Sequence, residues 1–145
     1  MAVSLTRTVT FSAHHSYHIP DWSDEDNRAA FGDLGTAPGH GHTYRCSATV
    51  SGPLGPDGAI MDLGALDDIL RQEVVDVLDG KHVNLVVPEF AYGKLLPTCE
   101  AMAAYLFPRL ARLLPEDVQL DRVRLAEDGT LYADCTGPTD PEAAR

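Results

Sequence analysis

Residues Val3 to Ser12 alternate in polarity, with Val3, Leu5, Val9 and Phe11 on one parity, and residues Thr43 to Val50 alternate in the same way. A period of two puts one set of side chains against a core and the other toward solvent, the mark of a half-buried strand. A chain with two such strands must cover one face of a sheet and can leave the other wet. Between them, Ser16 to Gly39 carries Pro20, Gly32, Gly35, Pro38 and Gly39 among many polar residues. This reads as a long loop, and loops of that length in compact domains are usually functional or disordered.

Beyond the second strand the period changes. Ser51-Gly-Pro-Leu-Gly-Pro-Asp-Gly58 stops the alternation, and Ala59 to Leu63 is a short apolar approach. From Gly64, the residues Leu66, Ile69, Leu70, Val74, Val77 and Leu78 fall on one helical stripe, with Asp67 and Asp68 toward the positive end of the dipole. Thr98, after Pro97, is placed to cap a second helix that turns Met102, Leu106, Leu110 and Leu113 inward. Pro108 is expected to kink or interrupt that helix, because proline removes a hydrogen bond and clashes with the preceding turn. Val118 to Ala126 and Thr130 to Cys135 read as two strands joined by Glu127-Asp-Gly129. The order is strand, long loop, strand, helix, helix, strand, strand. The class is α+β, with a single domain over 1–135 and a polar tail over 136–145. Such a thin unit leaves sheet edges exposed, and association with copies of itself is a common remedy.

Composition narrows the function. The chain has 145 residues, a formal net charge of −11 and 44% hydrophobic residues. That argues against general binding to nucleic acid or to an anionic membrane surface. No apolar run approaches the ~18 residues of a membrane span. The first eleven residues alternate rather than forming the apolar block of a signal peptide, so the expected location is the cytoplasm. Cys46, Cys99 and Cys135 are widely spaced and odd in number, which indicates neither a disulfide framework nor a cysteine-rich zinc site. Cys46 and Cys99 are expected to pack as small buried groups.

The strongest chemical signal is histidine placement. His14-His15 closes the first strand, and His40-Gly-His42 enters the second. Residues two apart on a strand share a face, so His40 and His42 can converge on one ion, and an imidazole from the neighbouring strand would complete a three-histidine site. Three protein ligands on Zn2+ leave a fourth position for water or substrate, the pattern of a catalytic site.

Several motifs occur in order: Phe11-Ser-Ala-His-His15, Asn27 with Phe31-Gly32, His40-Gly-His-Thr-Tyr44, Ile60-Met-Asp-Leu63, Leu78-Asp-Gly-Lys-His-Val-Asn-Leu85 and Pro97-Thr-Cys-Glu100. Together they resemble the 6-pyruvoyltetrahydropterin synthase / 6-carboxytetrahydropterin synthase family from about Val3 to Cys135. The resemblance implies the tunnelling fold, a four-stranded antiparallel sheet with two helices on one face. It also implies trimers or hexamers with active sites between subunits. It implies zinc on His15, His40 and His42, with His14 one place short of the ligand position. The substrate it implies is a small molecule, 7,8-dihydroneopterin triphosphate, whose side chain is rearranged or cleaved. Glu127 matches the glutamate that anchors the pterin ring, with Asp128 where the family often has threonine. Thr98 and Glu100 match its Pro-Thr-x-Glu motif.

Two departures stand out. Leu34 occupies the position of the family's catalytic cysteine, and Gly80 follows Leu78-Asp79 where the family has histidine. Neither residue can transfer a proton, and such groups contribute typically ~10²–10⁴-fold each. Gly80 also suits a helix C-cap. Asp79 is kept, and Asp33 and His82 are the nearest titratable substitutes. Tyr17 and His18 lie in the same loop. Three readings follow: a zinc enzyme with altered chemistry on a pterin or another small carbonyl or hydroxy substrate, a standard synthase with substitute groups, or a silent zinc-binding partner of an active homologue.

Overall fold

The structure is a computed structural model that describes residues 1–35 and 39–139. Strand β1 (Ser4–His15) pairs antiparallel with β2 (His40–Ser51) along the full length of both, from Ser4↔Ser51 to His15↔His40. β2 pairs with β4 (Gln119–Ala126), which pairs with β5 (Tyr132–Cys135), both antiparallel. A further strand, β3 (Lys81–His82), runs parallel to β1 on its outer edge. The sheet therefore has five strands, in the order β3-β1-β2-β4-β5, rather than the expected four. Two residues are too few to show a period, which is why β3 leaves no trace in the sequence pattern.

One face carries the core. Phe11, Ala13 and His15 of β1 and Tyr44, Cys46, Ala48 and Val50 of β2 are buried, while the opposite parity of β1 is exposed. β4 changes parity within its length. Thr49 pairs with Arg122 and Val50 with Leu120, so Asp121 is an extra, bulged residue. Leu120 faces the core before the bulge, and Val123 and Leu125 face it afterwards. Glu127 continues that second parity.

Helices cover the core face. α2 (Leu63–Leu70) is capped by Asp62, whose carboxylate accepts from Ala65 N–H at 2.9 Å. It runs on through one π turn (Arg71–Val75) into α3 (Asp76–Leu78). Leu66, Leu70, Val74 and Leu78 are all buried. Steps of four overshoot a 3.6-residue turn, and the wider π turn cancels part of that drift. α5 (Cys99–Ala111) starts at Thr98, whose hydroxyl accepts from Ala101 N–H at 3.2 Å. Met102, Leu106 and Leu110 are buried, and Leu113 is half-buried beyond the helix end. Pro108 does not interrupt α5: it lies on the exposed side with Ala104.

The stretch read as one loop contains a helix, α1 (Asp24–Phe31). Ser23 caps it, accepting from Asp26 N–H at 3.0 Å, and Asp24, Glu25 and Asp26 fill the first turn. Ser-Asp-Glu-Asp is a recognisable N-terminal signal, masked by the polar surroundings and the short run. A short helix, α4 (Val83–Val86), follows β3. Of the tail, residues 140–145 lie outside the described residues, and Gly137 packs on the Phe107 ring.

Buried Asn27 holds the loop after β1. Its carboxamide oxygen accepts from Ile19 N–H at 2.8 Å, and its NH2 donates to the carbonyls of Ile19 at 2.9 Å and Ser23 at 3.1 Å. Asn27→Ala leaves the Ile19 groups without these partners. Urea denaturation should show a loss of ~1–3 kcal/mol, against no more than about 0.5 kcal/mol for Glu25→Ala on the exposed side of α1.

Candidate metal centre and pocket

The β1–β2 register builds the centre. His15 stands opposite His40, and Ala13 opposite His42, so the three imidazoles share the core face at the end of the ladder. One ring nitrogen from each of His15, His40 and His42 lies within 4.8 Å of the others. His15 Nε2 and His40 Nε2 are 2.8 Å apart. The second pair of the sequence motif divides by strand parity: His15 is buried in the cluster, while His14 faces outward with its ring laid over Gly41. A Cβ at Gly41 would meet His14 Nε2 at 2.9 Å, so the glycine lets the exposed His14 ring lie flat across the strand.

The far side of His15 fixes its tautomer. His15 Nδ1 is 2.8 Å from the Pro97 carbonyl oxygen, which can only accept, so Nδ1 carries the hydrogen and Nε2 the lone pair that faces the cluster. The Tyr44 hydroxyl lies 3.1 Å from the same Nδ1. Burial chiefly, and then the neighbouring imidazoles, hold the His15 pKa at about 4 against the opposing Pro97 bond. His40 is lowered too, first by burial and then by His42 and His14. His40 Nδ1 and His42 Nε2 are buried with no hydrogen-bond partner among the described residues. Three imidazoles, each with a ring nitrogen within 4.8 Å of the others, and buried nitrogens without a partner among the described residues fit a divalent metal of the zinc type.

Glu127 closes the other side. The β4 bulge turns it onto the histidine face, with Oε1 3.8 Å from His42 Nε2. Cys99 Sγ donates to Glu127 Oε2 at 3.5 Å. Cys99 is buried as expected and lies against Glu127: burial first and then Glu127 push its pKa up to about 12. Asp128 shapes the following turn, with Oδ1 accepting from Thr130 N–H, Thr130 Oγ1 and Leu131 N–H at 2.7, 2.8 and 3.0 Å. Thr98 is half-buried beside Cys99, and Glu100 is exposed at the rim.

The remaining candidates are scattered. Asp33 is exposed on the turn Gly32–Gly35, and the Leu34 side chain is 45% exposed. Asp79 is exposed, and its carboxylate braces β1 by accepting from Ser12 N–H at 2.8 Å. Gly80 sits at φ 70°, and an added Cβ would meet nothing within 4 Å. Its side chain is excluded by backbone conformation rather than by space. His82 is half-buried beside Gly39, where a Cβ would come within 3.3 Å of His82 Nε2 and 2.4 Å of the His15 carbonyl oxygen. His82 therefore approaches the strand that carries His15, whereas Asp33 and Asp79 are not gathered into the cluster. The sequence reading missed Tyr44, Cys99 and Asn84 as site-building residues. Asn84 is buried: its oxygen accepts from Ser16 N–H at 2.9 Å, and its NH2 donates to the carbonyls of Ser16 and Phe90. The Tyr44 signal was its parity with His40 and His42.

The comparisons agree with this geometry. The family model for 6-pyruvoyl tetrahydropterin synthase matches residues 4–138. The human 6-pyruvoyl tetrahydrobiopterin synthase is 34% identical over 124 residues, covering 85% of this chain and 83% of that protein. The solved 6-pyruvoyl tetrahydropterin synthase of Caenorhabditis elegans superposes with a TM-score of 0.85 at 27% identity, over 95% of this chain and 97% of that one. A more distant relative, a dihydroneopterin monophosphate aldolase of Pyrococcus furiosus, is 27% identical over 88% of this chain and 91% of its own. A one-sheet α+β fold with a three-histidine cluster at a strand end is thus a pterin-synthase fold. The chain belongs to the 6-pyruvoyl tetrahydropterin synthase family.

The His15 environment has a measurable consequence in metal-free protein. Its pKa falls from 6.5 unfolded to about 4 folded, so the unfolded chain takes up the proton first. The associated stability is complete above pH 6.5 and is lost as pH falls toward 4. Urea midpoints of chelator-treated protein should reveal a loss on the order of 3 kcal/mol across that window. A midpoint that stays constant there would mean His15 is not buried as a neutral imidazole.

Proposed function

We propose that this protein is a zinc enzyme acting on the side chain of a reduced pterin, with a proton-transfer set different from that of the standard synthase. The observation that carries the reading is the juxtaposition of the His15, His40 and His42 cluster with Glu127 Oε1 at 3.8 Å from His42. His15, His40 and His42 would hold the metal, which when bound supplies a Lewis acid for a side-chain oxygen. Glu127 is the ring anchor, since a carboxylate accepts two parallel hydrogen bonds from a ring N–H and an exocyclic amine. Thr98 and Glu100 line the rim of the ring pocket.

The altered chemistry follows from what the loop and the helix end present. Leu34 offers no thiol, and Gly80 at φ 70° offers no imidazole. His82 is the best placed of the substitute acid/base candidates because it nears the His15 strand. We assign roles to Asp33 and Asp79 only in a site completed by a neighbouring copy. The aldolase relative supports the reading, because its name gives this family a second reaction on a dihydroneopterin. The standard synthase with substitute groups is the second reading, favoured by the 34% identity to the human synthase. A silent partner is the least economical, since it has no need of both the cluster and Glu127.

We further place the protein in the cytoplasm as a single domain over 1–135. Among the described residues no helix is long and apolar enough to cross a membrane.

Purified protein is expected to carry about one zinc per chain, and His42→Ala to lose most of it while keeping its circular dichroism. The zinc form should turn over 7,8-dihydroneopterin triphosphate at least ~10²-fold more slowly than a standard synthase. Mass spectrometry of products, with small carbonyl compounds offered in parallel, decides the matter. Fast conversion to the synthase product would establish the second reading in place of the first.

The open edges of β3 and β5 lead us to propose a homotrimer or homohexamer with sites between subunits. Light scattering at micromolar concentration should give three or six times the chain mass, and a monomer there would rule the assembly out.

A further inference from the structure

The Tyr17 side chain stands over the metal cluster and is used by nothing described so far. Its ring centroid lies 4.9 Å from that of His15 and 6.1 Å from that of His40. Phe31 of α1 supports it from behind, edge to face at 6.0 Å. The backbone beneath the ring is held twice. Tyr17 N–H donates to the Leu34 carbonyl at 3.1 Å, and Gly35 packs so closely that a Cβ there would lie 2.9 Å from the Tyr17 carbonyl oxygen. Asn84 holds the preceding residue through both polar groups of the Ser16 backbone. Tyr17 is therefore a fixed group on a braced segment.

Its hydroxyl is the unusual part. The ring is half-buried, yet the phenol makes no hydrogen bond among the described residues. The groups that act on it electrostatically are Glu127, Cys99 and Glu100, the residues around the proposed ring pocket. Tyr44 differs in burial: its phenol is fully enclosed, 3.1 Å from the His15 Nδ1 that donates to Pro97. A braced ring beside the histidine cluster, with a solvent-reaching hydroxyl that no protein group among the described residues occupies, offers a donor to a ligand.

We propose that Tyr17 is a specificity-determining residue whose phenol donates a hydrogen bond to a side-chain hydroxyl of the bound dihydropterin. The assignment rests on the pterin reading above. A ligand that reaches the histidine cluster passes beside the Tyr17 ring, whose centroid lies 4.9 Å from that of His15. The hydroxyl then separates pterins by what they carry beyond the ring, and a ligand without side-chain oxygens makes no use of it.

The test uses zinc-loaded, full-length protein and two probes, 7,8-dihydroneopterin, with a hydroxylated side chain, and 7,8-dihydropterin, with none. Binding is followed by fluorescence titration, and zinc content by atomic emission. Tyr17→Phe removes only the hydroxyl. It should weaken dihydroneopterin about 3- to 10-fold, as one neutral hydrogen bond allows, and leave dihydropterin affinity and zinc content unchanged. Tyr17→Leu, which also removes the ring, serves as the packing control and should weaken both probes. Equal weakening of both probes by Tyr17→Phe would overturn the assignment in favour of loop packing, and so would no change in either. Wild-type protein that binds neither probe would overturn the pterin reading and the Tyr17 assignment together. Wild-type protein that binds both, with its preference untouched in Tyr17→Phe, would overturn the assignment alone.

Discussion

The rest of the site depends on the antiparallel register of β1 on β2. It places His15 directly across from His40 and His42 one core-facing step further along β2. A slip of one residue would turn His15 outward and bring His14 into its place, because side chains alternate faces at every step. Register is strongly specified here because the same parity carries Phe11, Ala13, Tyr44 and Cys46 into a closed core. The hydrophobic pattern and the ligand pattern are one pattern, read at two ends of the same strands. Stacked Phe11 and Tyr44, with ring centroids 4.9 Å apart, mark where the core passes into the site.

Around that ladder, tertiary contacts decide the chemistry of the histidines. The carbonyl of Pro97, just before the cap of α5, fixes the His15 tautomer across 82 residues of sequence. The bulge at Asp121 carries Glu127 onto the histidine face. Without that extra residue the end of β4 would present Glu127 to the solvent side of the sheet. Asp128 secures the turn that follows by accepting three hydrogen bonds.

The two positions where the sequence resemblance leads one to expect proton-transfer groups have different physical characters. Gly80 is a conformational choice: φ 70° carries the chain from α3 into β3, with its N–H donating to Ser12 O at 2.7 Å. Leu34 lies on an exposed turn whose backbone bonds to Tyr17. A turn secured through backbone groups tolerates many side chains, so the residue at position 34 is not dictated by the fold.

Much of this was legible in the residues themselves. Alternation in β1 and β2, the Leu66–Leu78 stripe, the Thr98 cap and the His40–His42 pair all follow from local periods and local chemistry, which depend only on neighbours along the chain. His15 as the third member came from the family resemblance. Other features were settled by packing. β3 is two residues long and exists because β1 has an open edge beside it. α1 is eight residues of polar sequence held by the buried Asn27. α5 runs past Pro108, which lies with Ala104 on its exposed side. The roles of Tyr17, Tyr44, Cys99 and Glu127 depend on contacts between residues 23 to 85 positions apart or on a parity change at one bulge. Periodicity cannot encode such contacts: it states which face a side chain takes, and only the folded sheet states what stands opposite.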